Sequence, residues 1–287
     1  MDNLTYELRQ LCNRNRDGGH TTQADRMRSL GLMARQLHEM GFRRMGAASL
    51  KQKHVRALLD HWQGKGLSAG TTKNYMAHLR WWAEKTGKTA LLPNDNAALG
   101  IADRQYVTNV SKAKTLDGNL DRITDPYVSM SLRLQAGFGL RREEAIKFQP
   151  GYADRGDHIS LKGSWCKGGK ERSIPITEPE QRELLQTAHQ LAGSGSLIPA
   201  HKSYKEQRQT YDGQCKAAGL KAMHGLRHQY AQARYEVLTG WKAPAAGGPS
   251  SKQLTPAQRV QDRQARLTIS RELGHEREQI TAVYLGR

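Results

Sequence analysis

Residues 273–287 read Leu-Gly-His-Glu-Arg-Glu-Gln-Ile-Thr-Ala-Val-Tyr-Leu-Gly-Arg. His275 stands nine positions before Tyr284, and Ile280, Val283 and Tyr284 fall on one face of an expected helix. Packing alone would explain that face, and a lone tyrosine is usually a core residue. Its meaning depends on what the rest of the chain sets beside it.

Three upstream segments carry polar groups that packing does not require. Gly137-Phe-Gly-Leu-Arg-Arg-Glu-Glu-Ala145 places Arg141 and Arg142 after a glycine-flanked turn, with Glu144 one helical turn on. Cys166-Lys-Gly-Gly-Lys-Glu-Arg172 separates two short alternating runs, one carrying Ile159 and Leu161, the other Ile174 and Ile176. That alternation predicts an antiparallel hairpin, with the paired glycines suited to its turn. His224-Gly-Leu-Arg-His228 opens a helix and puts His224 and Arg227 on one face. His224 and His228 also have the i,i+4 spacing of a metal pair, but no nearby Cys/His/Glu motif supplies a third ligand.

The chain has 287 residues, enough for two domains, and a formal net charge of +18 with a pI near 10.0. The excess is spread out: residues 1–100 hold 16 basic and 8 acidic side chains, the remainder 29 and 19. A polyanion gripped along the whole chain is implied, and charge alone does not separate DNA from RNA. Cys12, Cys166 and Cys215 form neither a disulfide framework nor a zinc motif, so a reducing cytoplasm is expected. No apolar run has membrane-spanning length, and no membrane partner is expected.

The first hundred residues read as a helical domain. Thr22 to Asp25 has the form of a capping box ahead of Met27, Leu30, Ala34 and Leu37, and Gly41 closes that helix. Ser49 to Gln52 resembles a second cap, leading to Val55, Leu58, Leu59 and Trp62. Ser68 opens a third helix with Tyr75, Leu79 and Trp82 inward. The outward faces carry Lys51, Lys53, Lys73, Arg80 and Lys85, candidate DNA contacts. Residues 101–118 read as a linker and 119–287 as a second domain, begun by Asp125 as cap and Pro126 at the first helical position. Further helices are expected from Thr177, near Ser203, at His224 and from Thr255. The Pro/Gly/Ala-rich stretch 240–253 reads as a flexible loop.

Two arginines, a hairpin lysine, two histidines and a tyrosine can all address one phosphodiester. Breaking a strand without losing the bond energy needs a covalent intermediate, and a phenol is a good enough leaving group for reversal. Guanidinium forks match the charge on the non-bridging oxygens at any relevant pH. A lysine can protonate the departing oxygen, and a neutral histidine can take the phenol proton.

These four segments resemble the tyrosine recombinase (phage integrase) family. Residues 137–145 are similar to its first arginine box and Cys166 to Ile176 to its β-hairpin lysine segment. His224 to Arg227 matches its H-x-x-R box, and Leu273-Gly-His275 with Tyr284 its last box. The resemblance covers 119–287, with residues 1–100 similar to the family's SAM-like core-binding domain. The fold it implies is mainly α, with an α+β catalytic domain holding a small antiparallel sheet.

Residue by residue, the resemblance makes Tyr284 the nucleophile that joins a DNA 3′-phosphate. Arg141 and Arg227 would bind the scissile phosphate and His275 would hydrogen-bond it. Lys167 would be the general acid, with His224 assisting proton transfer and Glu144 orienting a catalytic side chain. Lys170 is the rival for the lysine role, and Arg142 is taken as a backbone-phosphate or surface contact. No cofactor, metal or ATP is implied. The implied partners are duplex DNA with a specific recombination site and three further copies of the chain, four on two sites with the duplex clamped between domains. A monomer or weak dimer is expected without DNA. Directionality or DNA-bending accessory proteins are further implied partners. The implied role is integration or excision of a mobile element in a bacterial cytoplasm, at the nucleoid. A type IB topoisomerase, a telomere resolvase and a binding-only accessory protein are the alternatives.

Two departures from the family pattern stand out. His224 and His275 are 51 positions apart, wider than the family interval, with 241–253 as the apparent insertion. Little sequence follows Tyr284, where many relatives carry a helix that docks on a neighbouring protomer. That contact is expected to be absent, truncated away or made by another element.

Overall fold

Asp2 accepts the Thr5 N–H at 2.8 Å and so caps the first helix, satisfying a donor that has no partner within the helix. The computed structural model describes residues 2–116, 118–275 and 277–287. The chain forms two compact units, Met1–Gln105 and Tyr106–Arg287.

The first unit is helical: α1 (Asn3–Arg14), α2 (His20–Glu39), α3 (Gln52–Gly64) and α4 (Ala69–Lys85). Leu30, Met33, Leu37, Leu58, Trp62, Met76, Leu79 and Trp82 make its core. The two fully buried tryptophans keep their N–H groups satisfied, Trp62 donating to Gln36 Oε1 at 3.0 Å and Trp82 to the Ala47 carbonyl at 2.8 Å. Ser68 caps α4 as its sequence predicts. The other two expected caps are displaced. α2 already begins at His20, and Gln23 instead turns back to the Arg16 and Gly18 carbonyls. Ser49 serves a short 3₁₀ turn, accepting from the Gly46 N–H, while His54 Nδ1 accepts from Lys51 at the start of α3. In both cases a competing local hydrogen bond moved the boundary by a few residues.

The second unit packs α5 (Pro126–Phe138), α6 (Arg142–Ile146), α7 (Pro150–Ala153), α8 (Pro179–Ala192), α9 (Tyr204–Ala217), α10 (Gly225–Thr239), α11 (Pro256–Glu272) and α12 (Glu278–Leu285) around one two-stranded sheet. Strands β1 (His158–Leu161) and β2 (Arg172–Pro175) pair antiparallel with Ile159 opposite Ile174. Both isoleucines are fully buried with Phe138, Phe148, Leu185, Tyr235 and Ile269. Asp125, Ser203 and Thr255 cap α5, α9 and α11 through their own side chains.

Of the stretch read as a linker, Ile101 packs into the first core, whereas Lys114 N–H donates to the Gly225 carbonyl in the second unit. Asp117 lies outside the described residues. The stretch read as a flexible loop is folded: Ala243 and Ala245 are buried, and Pro244–Ala246 forms a 3₁₀ turn. Alanine and proline there fill space rather than loosen the chain. No described helix is long and apolar enough to cross a membrane.

Candidate active site

The turn between α5 and α6 positions the first guanidinium. Gly139 ends α5 at φ +60°, and a Cβ there would lie 2.5 Å from Tyr230 Cδ1, so both conformation and space demand glycine. The chain then turns outward at Arg141, and Glu144 folds back on it. One Glu144 oxygen accepts the Arg141 N–H at 2.6 Å and the other its guanidinium at 2.8 Å. Arg172, the first residue of β2, grips both oxygens of the same carboxylate at 2.6 and 2.7 Å. Its Nε donates to the Glu272 carbonyl at 3.0 Å. Burial by itself raises the Glu144 carboxyl. The Arg172 hydrogen bonds and the charges of Arg172, Arg141 and Arg227 outweigh it and hold the pKa at about 2.

Arg227 sits deeper, 1% exposed on the first turn of α10. It donates to the Gly139 carbonyl at 2.5 Å and to the Leu273 carbonyl, and one Nη lies 3.4 Å from His275 Nε2. Arg141 reaches the same Leu273 carbonyl at 3.4 Å. Three guanidiniums thus converge on the backbone of residues 272–273, the turn that delivers His275. Burial, with Arg141 nearby, lowers the Arg227 pKa to about 10, leaving it charged at neutral pH. Gly274 has φ +62°, and a Cβ would come within 2.8 Å of Arg172 Cδ, so this close approach also requires glycine.

The histidines are neutral. Burial first, then the charges of Arg227 and Arg141, press His275 to about 3. With Nε2 facing Arg227, the ring proton belongs on Nδ1, donated to Thr281 Oγ1 at 3.0 Å. Partial withdrawal from water, followed by Arg227 and Arg141, also lowers His224. Its Nε2 stands 3.0 Å from the Tyr284 hydroxyl and can accept the phenolic proton. The Tyr284 ring stacks on His275 at a centroid separation of 5.2 Å and lies 4.4 Å from the His228 ring, with the Arg227 guanidinium carbon 5.8 Å away.

Arg141, Lys167, His224, His275 and Tyr284 line one cleft of about 1440 Å³. Lys167 and Lys170 both stand on its rim, exposed, on the connection between the strands where Gly168 and Gly169 take φ +84° and +72°. Lys167 makes no hydrogen bond or ion pair with any described residue. No group of three or more His, Cys, Asp or Glu among the described residues is arranged to hold a metal ion.

The sequence reading missed Arg172, although a signal existed: Arg172, Ile174 and Ile176 alternate, so the arginine belongs on the strand's inward face. His228 was read only as half of a metal pair, yet it is 5% exposed and packs on the Tyr284 ring, its pKa held at about 4, first by burial and then by His224. Glu272, which accepts from Tyr230 at 2.9 Å and Arg234 at 3.1 Å, was visible only in three dimensions.

Residues 1–92 match the family model described as phage integrase, N-terminal, and residues 102–233 match that of the integrase domain. The chain belongs to the phage integrase (tyrosine recombinase) family. By class it is a site-specific DNA recombinase. Among solved structures the integrase resembles a lambda integrase (75–356) dimer bound to a COC′ core site, at 16% identity and a TM-score of 0.64. That alignment covers 99% of this chain and 96% of the other. The Tn1549 transposon integrase (aa 82–397) in complex with circular intermediate DNA matches at 14% identity and a TM-score of 0.59, covering 100% and 96%. The XerH recombinase in a post-cleavage complex with a palindromic difH substrate matches at 17% and 0.58, covering 99% and 81%. At these identities the likeness is one of fold. No curated protein matches the integrase.

The candidate DNA-contact residues of the integrase fare unevenly. Lys51 and Lys53 are exposed at the start of α3, with Lys53 5.7 Å from the Phe42 ring. Lys73 pairs with Asp103 at 2.8 Å, and Lys85 with Asp17 at 3.1 Å and Glu84 at 3.0 Å. Arg80 donates to the Pro93 carbonyl and to Asn96. In the second unit Arg142 pairs with Asp212 at 2.6 Å. Of these pairs, Lys73–Asp103, Lys85–Glu84 and Arg142–Asp212 each leave one or both partners more than half exposed, so they are weak and exchangeable.

Proposed function

We propose that the integrase cleaves and rejoins duplex DNA through a 3′-phosphotyrosine at Tyr284, and that it integrates or excises a mobile genetic element. The observation that carries this is the 3.0 Å contact between the Tyr284 hydroxyl and a neutral His224 inside a cleft also lined by Arg141. In the proposed step the phenolic oxygen forms a bond to phosphorus and the bond from phosphorus to the 5′ oxygen breaks. The phenolic proton passes to His224 Nε2, and the departing oxygen takes a proton from Lys167. Arg141 and Arg227 are assigned to the non-bridging oxygens, where negative charge concentrates, and His275 donates there once its ring proton sits on Nε2, with the Thr281 hydroxyl then donating to Nδ1. The working assembly is taken as four chains on two recombination sites. DNA-bound solved relatives, the basic balance of both units and the family membership all support a duplex substrate.

Trapping on a nicked suicide duplex tests the assignment. Wild type should form a covalent adduct and Tyr284→Phe none. An undiminished adduct in Tyr284→Phe removes Tyr284 from the mechanism. Relaxation of a supercoiled plasmid lacking any special site would favour a topoisomerase instead. Binding should weaken steeply with salt, since phosphate contacts release counterions.

A further inference from the structure

The phenol of Tyr284 is carried on the last turn of α12, an eight-residue helix ending at Leu285. The final carbonyls of any helix have no partner within it, and such a turn frays unless something else binds them. Here remote side chains do so. Gln232 Nε2, on α10, donates to the Tyr284 carbonyl at 3.0 Å, while its Oε1 accepts from Ser111 at 2.9 Å. Arg266 Nη1, on α11, donates to the Gly286 carbonyl at 2.8 Å, its Nε fixed by both Asp262 oxygens at 2.8 and 3.0 Å. Asn109 grips Arg287 twice, its Nδ2 donating to the carbonyl at 3.0 Å and its Oδ1 accepting the N–H at 2.8 Å. Gly286 lies so close that a Cβ would come within 2.7 Å of both Ala245 N and Asn109 Oδ1. The peptide thus runs in a slot whose walls include two stretches that the catalytic constellation leaves unused, residues 106–111 and the folded 243–247 loop.

We infer that Asn109, Gln232 and Arg266 are positioning residues that hold the main chain of residues 284–287 so that the Tyr284 hydroxyl stays in its own subunit's cleft, within reach of His224. This rests on the reading of Tyr284 as the nucleophile. Every contact is to main-chain atoms, so the path is fixed without use of the tail's side chains. Asn109 takes φ +51°, a conformation that glycine adopts freely, so Asn109→Gly deletes both grips without backbone strain.

The test pairs two measurements on full-length protein: amide exchange of peptides spanning 279–287 without DNA, and single-turnover adduct formation on the suicide duplex. Asn109→Gly should exchange about tenfold faster, as expected for the loss of two ordinary hydrogen bonds. Its adduct rate should fall on the order of tenfold or more, because a nucleophile displaced by a fraction of an ångström loses its attack geometry. Its affinity for duplex DNA should not change, and its unfolding temperature should fall by no more than a few degrees, the cost of two ordinary hydrogen bonds. Asn109→Asp, which keeps the acceptor for the Arg287 N–H and loses the donor, should fall between. Gln232→Ala should repeat the pattern. Unchanged exchange, or faster exchange with an unchanged or raised adduct rate, would overturn the inference. If wild type formed no adduct on any duplex, the nucleophile reading would fail instead, and the exchange data would still decide whether the tail is held.

Discussion

The two sides of the cleft are built differently. On one, Arg141 and His275, with the buried Arg227 touching His275, are locked: a buried carboxylate and two backbone carbonyls hold the guanidiniums, and Thr281 fixes the imidazole. On the other, Lys167 stands exposed on a connection containing two glycines at positive φ, making no hydrogen bond or ion pair with a described residue. Groups that stabilise developing charge gain from being fixed beforehand, because no reorganisation is then needed as the charge forms. In the proposed step a proton donor must meet an oxygen whose place the substrate sets, and a rim lysine is free to do so.

Four measurements would sharpen or break that contrast. The largest effect belongs to the locked side: Tyr284→Phe should abolish adduct, read by gel on the suicide duplex. Next, Lys167→Ala should slow cleavage roughly 10²–10⁴-fold, the usual worth of a placed general acid. A substrate with sulfur replacing the 5′ oxygen needs no proton to leave, and should restore the variant's rate. Rescue of Lys170→Ala instead would move the acid three residues along.

Glu144→Gln should affect folding as well as rate. It leaves Arg172 charged, buried and without its counter-ion, a loss of roughly 3–5 kcal/mol by denaturant titration for such a broken pair. A variant as stable as wild type would show that the network does not hold the guanidiniums in place. The smallest effect is that of mild acid. His228 and His275 are held at about 4 and about 3 against an ordinary 6.5, so below 6.5 the unfolded chain binds protons that the folded unit refuses. Stability is therefore full above pH 6.5 and falls as pH drops toward 4 and then 3, with Glu144 extending the loss toward 2. Buried His228 alone contributes at most about 1.4 kcal/mol per pH unit in this window. His228→Asn should flatten the slope between pH 6 and 4 in thermal unfolding; an unchanged slope would mean that His228 titrates normally.

Much of this was legible in one dimension. Asp125, Ser203 and Thr255 announced their helices because capping is a contact between near neighbours. Ile159 and Ile174 announced the hairpin because strand faces alternate. The caps at Thr22 and Ser49 misled for the same local reason: two hydrogen-bonding solutions competed within a few residues, and both sites took the other one. The first unit's basic faces named candidate contacts, but the pairing of Lys73 with Asp103 and of Lys85 with Asp17 depends on partners 30 and 68 positions away.

Residue types and short spacings already state which chemical groups the integrase carries and in what order, the set that the proposed phosphodiester chemistry asks for. How those groups are held rests on long-range contacts. The tertiary structure placed Arg172 beneath Glu144, His228 against the tyrosine ring, and Asn109 on the main chain 178 residues away. The reason is physical: hydrogen bonds to backbone carbonyls ask nothing of the side chain they anchor, so such contacts leave no mark in the residues being positioned.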